Sequence, residues 1–171
     1  MPIGNETAPV VNNKADFALT VEPVISQVIS EERLEAVYSF SQNADWYPFA
    51  FSSLCTTEEY IEKNPEAAQG IVNAIEKATQ FIQKYPTEAI EIAKQEFPDT
   101  DPGVVEAAIN RVIGAKGYPE HALASEKSWE NNMNIAFNSG NIKEYPADYS
   151  SYETNVNTEL ATNAEKNVKL D

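Results

Sequence analysis

The chain has 171 residues, 42% of them hydrophobic, which is enough for one domain or two small lobes around a buried core. Its 27 acidic and 12 basic residues give a formal net charge of −15, which disfavours binding to nucleic acid and to anionic membrane surfaces. The single cysteine, Cys55, can form neither an internal disulfide nor a zinc site made of several thiolates, and its apolar neighbours predict an inert, buried thiol.

The front of the chain is predicted to alternate between strands and helices. Residues 2–4 fit the end of a strand, and residues 5–11 fit the first turns of a helix with Asn5 as a possible cap. The short apolar run within residues 16–20 predicts a strand covered on both faces. Apolar residues then recur at helical spacing from Glu22 onward, so the sequence predicts an α/β fold.

The junction after Thr20 is the first place to expect a binding site. There the predicted strand meets a helix opened by Glu22 and Pro23. Open α/β sheets bind ligands at such junctions, because free backbone N–H groups and the positive helix end converge there.

Two further strands are predicted, at residues 35–40 and 46–54, since both segments are rich in aromatic and β-branched residues. Pro48 places the second strand at a sheet edge or a strand entry. The polar, turn-rich stretch between them, residues 42–47, could be a crossing between two lobes.

The rest of the chain is predicted to be helical, and each helix has a start signal. A capping box in which Thr56 accepts from the backbone of Glu59 is expected to open the first of these helices. Further starts are expected at Asn64-Pro65, Tyr85-Pro86, Asp101-Pro102 and Ser125, with ends near Phe97, Gly114 and Gly140. The polar segment at the end of the chain is expected to fray.

Read together, these stretches resemble the substrate-binding proteins of nitrate, sulfonate and taurine type ABC importers. The similar stretches are 15–23, 47–49, 56–66, 75–78, 86–89, 97–102, 125–140 and 152–160, in that order. They cover almost all of this chain, but only the later half of the family's usual length.

The resemblance implies the later portion of a two-lobed, periplasmic-binding-protein-like α/β fold, helix-rich and with few strands. By this resemblance, residues 1–41 would finish the second lobe, residues 42–160 would return to the first lobe with the closing helices, and residues 161–171 would be a tail. The implied partners are a small solute in the interlobe cleft, a membrane permease and the missing N-terminal half. The family works in the periplasm or outside the cell, anchored to the membrane, yet these residues contain no recognisable signal peptide.

In the resembling proteins the turn after the strand at 16–20 lines the cleft, so Thr20 and Glu22 are the first candidates for ligand binding. Glu22 could instead only complement the positive end of its own helix. Asn5 and Thr7 could present backbone N–H groups to an oxyanion, or act as plain helix caps. These alternatives stay open.

Trp46 and Tyr47 lie at the proposed lobe crossing, where they could form an aromatic wall against a solute or pack in the core.

Catalysis is not expected, and no metal or cofactor is implied. A pyrimidine-synthesising branch of the same fold uses a cysteine-rich, histidine-containing site, whereas this chain has one cysteine and a distant His121, expected at the surface. No phosphate-binding loop or serine elbow is present. The alternative function is an independently folded helical domain whose apolar stripes bind a partner protein.

Overall fold

The computed structural model describes residues 5–31, 33–43 and 45–170, and in these ranges the regular structure is helical. The α-helices are α1 (Ala8–Val11), α2 (Val24–Ser30), α3 (Glu58–Lys63), α4 (Pro65–Lys84), α5 (Pro86–Glu96), α6 (Pro102–Gly114), α7 (Glu126–Asn138), α8 (Tyr152–Asn155) and α9 (Thr158–Asn167). Two 3-10 turns lie at Phe40–Gln42 and Asp148–Ser150. Within the described ranges, no helix is both long and apolar enough to cross a bilayer.

Most of the predicted helix starts are confirmed. Two of them depend on a capping side chain that lies within three residues of the N–H groups it accepts from. The Asp101 carboxylate accepts from the backbone N–H groups of Gly103 at 2.8 Å and of Val104 at 3.2 Å. The Ser125 hydroxyl caps α7 by accepting from Ser128 N–H at 3.2 Å.

The predicted cap of α3 is wrong by one residue. The side chain that accepts is that of Thr57, from Tyr60 N–H at 3.1 Å, rather than that of Thr56. Thr57 has the extended backbone typical of a cap.

The strands predicted at 16–20, 35–40 and 46–54 are wrong for this chain, because the residues that the structure describes contain no β-strand. A strand exists only when a neighbour pairs with its backbone, and no described segment does so at 16–20. Phe17 and Leu19, expected to be covered on both faces, are 78% and 74% exposed. The strand end predicted at residues 2–4 falls outside the described residues.

The segment predicted as a strand at 46–54 instead bonds to helix α7. Asn131 and Asn132 donate side-chain N–H groups to the carbonyls of Pro48 at 2.8 Å and Ala50 at 2.6 Å. The Ala50 N–H donates to the Ser128 carbonyl at 3.2 Å. These bonds use backbone groups that a strand partner would need.

The described residues form two compact units. The first comprises Met1–Ser39 and Tyr85–Gly117, with α6 packed against α2 and α5. Its apolar core is small and consists of Ile90, Val104, Val105 and Ala108.

The second unit comprises Phe40–Lys84 and Tyr118–Asp171, and its main contact is between α4 and α9. The small residues Ala68, Ala161 and Ala164 are buried there. Gln69 donates to the Leu160 carbonyl at 2.9 Å. Residues 161–171 are assigned to a tail from the sequence, but most of them lie in α9. The helix is held in the second unit by its buried alanines.

The centre of the second unit is a buried carboxylate, Glu76 of α4, which has no exposed surface. One oxygen lies 2.8 Å from His121 Nδ1 and accepts from Gln80 at 2.7 Å. The other accepts from the backbone N–H of Ala122 at 2.7 Å. His121, expected at the surface, is about half exposed, and it also pairs with Glu76 because the chain returns to α4 after 45 residues.

These contacts change the acidity of both groups. Burial alone raises the pKa of Glu76, but the hydrogen bonds from His121, Ala122 N–H and Gln80 outweigh it, so the pKa lies below its ordinary value. The hydrogen bond with Glu76 raises the pKa of His121, and the nearby charges of Glu165 and Glu120 add to this effect. Both shifts stabilise the charged pair.

We predict that replacing His121 with Gln lowers the free energy of unfolding, with a cost that depends on pH. The raised His121 pKa stabilises the fold fully below its unfolded pKa, near 6.5, and this contribution disappears as pH rises through the folded value. Because His121 is half exposed, the pH-dependent part should be roughly 0.5–1 kcal/mol. Urea unfolding at pH 6 and pH 9 measures it.

The chain has one histidine, so the difference between the two proteins near neutral pH reports this pair alone. A difference that stays constant from pH 6 to pH 9 would show that the imidazolium charge does not stabilise the unit. At acid pH a second loss is expected, as pH falls through the lowered pKa of Glu76.

Candidate functional site

The predicted junction lies in the first unit, and Thr20 connects it to the start of α1. The Thr20 hydroxyl donates to the Glu6 carboxylate at 2.5 Å. Since Glu6 lies between Asn5 and Thr7, this bond brings the turn after Thr20 close to both of these candidates. Asn5, Thr7 and Thr20 therefore lie near one another in the first unit.

Asn5 and Thr7 differ in position and in burial at the start of α1. Thr7 occupies the cap position of α1 and is 7% exposed, but its side chain makes no capping hydrogen bond. Asn5 is exposed, and its backbone carbonyl accepts from Ala8 N–H at a long 3.4 Å. Neither side chain caps the helix in the usual way.

Glu22 makes two contacts that hold the first turn of α2. One carboxylate oxygen accepts from the Ser26 N–H at 3.1 Å. The other lies 2.7 Å from Arg111 Nε of α6, in an ion pair without a well-aligned hydrogen bond. Glu22 is 15% exposed and Arg111 41%. The carboxylate therefore stabilises the helix start, and its charge is balanced by a guanidinium.

Ser26 adds a polar group that the sequence analysis missed. It is 2% exposed, and its hydroxyl has no hydrogen-bond partner among the described residues. A buried hydroxyl without a partner is unfavourable unless a water molecule or ligand binds it. Ser26 lies one helical turn after Glu22, so that spacing could have indicated it, whereas no local signal indicates Arg111.

Trp46 and Tyr47 belong to the second unit. Trp46 packs edge-to-face on Phe40, with ring centroids 5.8 Å apart, and remains 40% exposed. Tyr47 is half-buried, and its N–H donates to the Asn43 carbonyl at 3.0 Å. Trp46 thus packs against one aromatic neighbour and stays partly exposed.

The first unit also contains an open concavity of about 550 Å³ near the end of α1. Its charged residues are Asp16 and Arg33, and Arg33 pairs with Glu31 at 3.1 Å. None of the predicted site residues is among the described residues that line it.

Cys55 is exposed rather than buried, because residues 51–57 form no regular structure and face solvent. Within the part of the chain that the structure describes, no three His, Cys, Asp or Glu side chains are grouped to hold a metal ion.

Comparisons with known proteins agree with the resemblance. Residues 1–89 match the family model described as "NMT1/THI5 like". The chain is 32% identical over 126 residues to "Putative binding protein YtlA" of Bacillus subtilis (strain 168). That match covers 73% of this chain and 36% of the relative, so the chain spans about a third of the relative's length. No solved structure matches.

The matched region contains the whole junction from Thr20 to Ser26, together with the start of α1. The chain belongs to the NMT1/THI5-like family, whose members include binding proteins.

Proposed function

We propose that this chain is part of the solute-binding component of an ABC importer of the nitrate, sulfonate and taurine type. It binds a small solute in a cleft between two lobes and carries out no chemistry. The observation that carries the proposal is that the family match includes the junction from Thr20 to Ser26.

The contacts at this junction suit ligand recognition. Pre-formed polar groups on rigid elements recognise a small molecule at low entropic cost. Thr20 is fixed by Glu6, and the Glu22 carboxylate is fixed by the Ser26 N–H and by Arg111. In this proposal Asn5 and Thr7 border the same wall, and Trp46 and Tyr47 supply an aromatic surface at the lobe crossing.

The charge at the junction is compatible with an anionic solute. An isolated carboxylate at Glu22 would repel nitrate or a sulfonate, but Arg111 Nε lies 2.7 Å from it. The ion pair uses the Nε atom of Arg111, so the other N–H donors of the guanidinium could bind an oxyanion. The planar arrangement of these donors matches the geometry of oxyanions.

The proposed fold is the two-lobed, periplasmic-binding-protein-like one, in which residues 16–20, irregular in this structure, would join a shared sheet. The strand that pairs with residues 16–20 would be supplied by polypeptide outside this sequence. The match with the relative covers 36% of that protein's length. The exposure of Phe17 and Leu19 supports this, since apolar side chains in an extended segment need a cover.

On this proposal the assembled protein works outside the cytoplasmic membrane and delivers its solute to a permease. The lobe assignment of residues 1–41, 42–160 and 161–171 remains part of the proposal.

We predict that the right solute raises the melting temperature of the chain. A ligand that binds only the native state stabilises it by about 2.7 kcal/mol at a hundred times its Kd, which corresponds to several degrees for a chain of this size. Differential scanning fluorimetry with nitrate, small sulfonates including taurine, and aminopyrimidines measures the shift.

The same titration separates the two functions considered. If the chain is monomeric and cooperatively folded, and no solute in the panel shifts its melting temperature, binding of these solutes by this chain alone is contradicted. A helical interaction domain would give this result and would show its partner by association instead.

We predict that Glu22→Gln increases the affinity for an anionic solute by about threefold or more, because it frees Arg111 from its counter-charge. The free energy of unfolding should fall by about 0.5–1.5 kcal/mol, as the ion pair is lost while the amide oxygen can still accept from Ser26 N–H. Calorimetric titration and urea unfolding measure the two effects.

The matched control is Glu31→Gln. It removes one exposed carboxylate that pairs with Arg33 at 3.1 Å, so the change in net charge is the same. Equal effects of the two variants on solute affinity would show that total charge, rather than Arg111, determines the binding.

A further inference from the structure

The second unit contains a cavity of about 290 Å³ between the first half of α7 and residues 145–153. Three aromatic side chains line it: Trp129 from α7, and Tyr145 and Tyr152 from the facing segment. None of the residues proposed for solute binding belongs to it. Its volume suits a ligand of a few heavy atoms.

Two of the three rings are held in place by hydrogen bonds to the backbone. The indole N–H of Trp129 donates to the Ser150 carbonyl at 2.9 Å, and Ser150 is itself 4% exposed. The Tyr152 hydroxyl donates to the Ala124 carbonyl at 2.6 Å. The aromatic faces are therefore pre-organised, which lowers the entropic cost of binding.

The charged residues that line the cavity are all acidic. Glu126 and Glu130 lie one helical turn apart on α7, and Asp148 and Glu153 come from the opposite side. Like charges four residues apart destabilise a helix. Glu126 complements the helix dipole from the first turn of α7, whereas Glu130 lies beyond that turn and pairs with Lys127.

The carboxylates act on the aromatic walls. Burial raises the pKa of Tyr145, and the charges of Glu130 and Glu126 raise it further. Burial likewise raises the pKa of Tyr152, with added effects from Glu126 and Glu153. Negative potential and aromatic faces thus occur in the same cavity.

The neighbouring cation does not neutralise this potential. Lys127 Nζ lies 3.4 Å from Glu130, but the Lys127 side chain is 61% exposed and that of Glu130 is 44% exposed. An exposed ion pair of this kind contributes little to stability, so another cation can readily take the place of Lys127 beside Glu130.

We propose that this cavity binds a small organic cation, an alkylammonium or quaternary ammonium group. The positive group would lie against the faces of Trp129, Tyr145 and Tyr152, where the ring quadrupoles attract it. The carboxylates of Glu126 and Glu130 would supply the counter-charge and relieve their mutual repulsion. Neutral and anionic molecules of the same size lack both interactions.

Calorimetric titration of the whole chain with choline tests this proposal, with 3,3-dimethylbutan-1-ol as the probe of equal shape and no charge. Choline should bind, and the neutral alcohol should bind at least tenfold more weakly. Equal affinity for the two, or no binding of choline at 10 mM by folded protein, would overturn the proposal.

The variant for the test is Glu130→Gln, which leaves the aromatic walls intact and changes an exposed side chain, so folding should be unaffected. It should weaken choline binding by about three- to tenfold. Glu62→Gln on α3 is the control with the same change of net charge, and its affinity should equal that of the unmodified chain. Equal weakening by both variants would show nonspecific attraction to an acidic surface and would contradict a defined site.

Discussion

The structure depends on one constraint: a helix satisfies most of its backbone hydrogen bonds internally, whereas a strand must obtain them from a neighbour. In the described residues, helix α4 extends over 20 residues and helix α6 begins at a local cap, Asp101. The segment at 16–20 has strand-like composition but forms no regular structure and is mostly exposed, with Phe17 at 78%. In the described part of the chain the helices therefore form, whereas residues 16–20 adopt no regular structure.

The same constraint explains how far the sequence could predict the fold. Helix starts such as Asp101-Pro102 were predictable, since cap and helix lie within four residues of each other. The strands were inferred from composition, and composition carries no information about whether a partner exists. The buried carboxylate Glu76 was also missed, because its partner His121 lies 45 residues away and neither residue is unusual in its local sequence.

The candidate site shows the same division between local and distant contacts. The proximity of Glu22 to its helix start was predictable, and its bond to Ser26 N–H spans four residues. Arg111 lies in another helix, so no spacing rule could reveal that it balances the Glu22 charge. That distant contact matters for the proposed function, because it makes the junction compatible with an anion. The sequence thus indicated the position of the candidate site, whereas the packing of α6 places the positive charge of Arg111 beside Glu22.

Amide hydrogen exchange on the isolated, monomeric chain tests the central claim most directly. The account predicts that the amides of residues 17–20 exchange with little protection, while amides in the middle of α4 are strongly protected. Protection of residues 17–20 equal to that of α4, in a sample shown to be monomeric, would mean that this chain pairs its own strands. That result would contradict the proposal that polypeptide outside this sequence supplies the partner of residues 16–20.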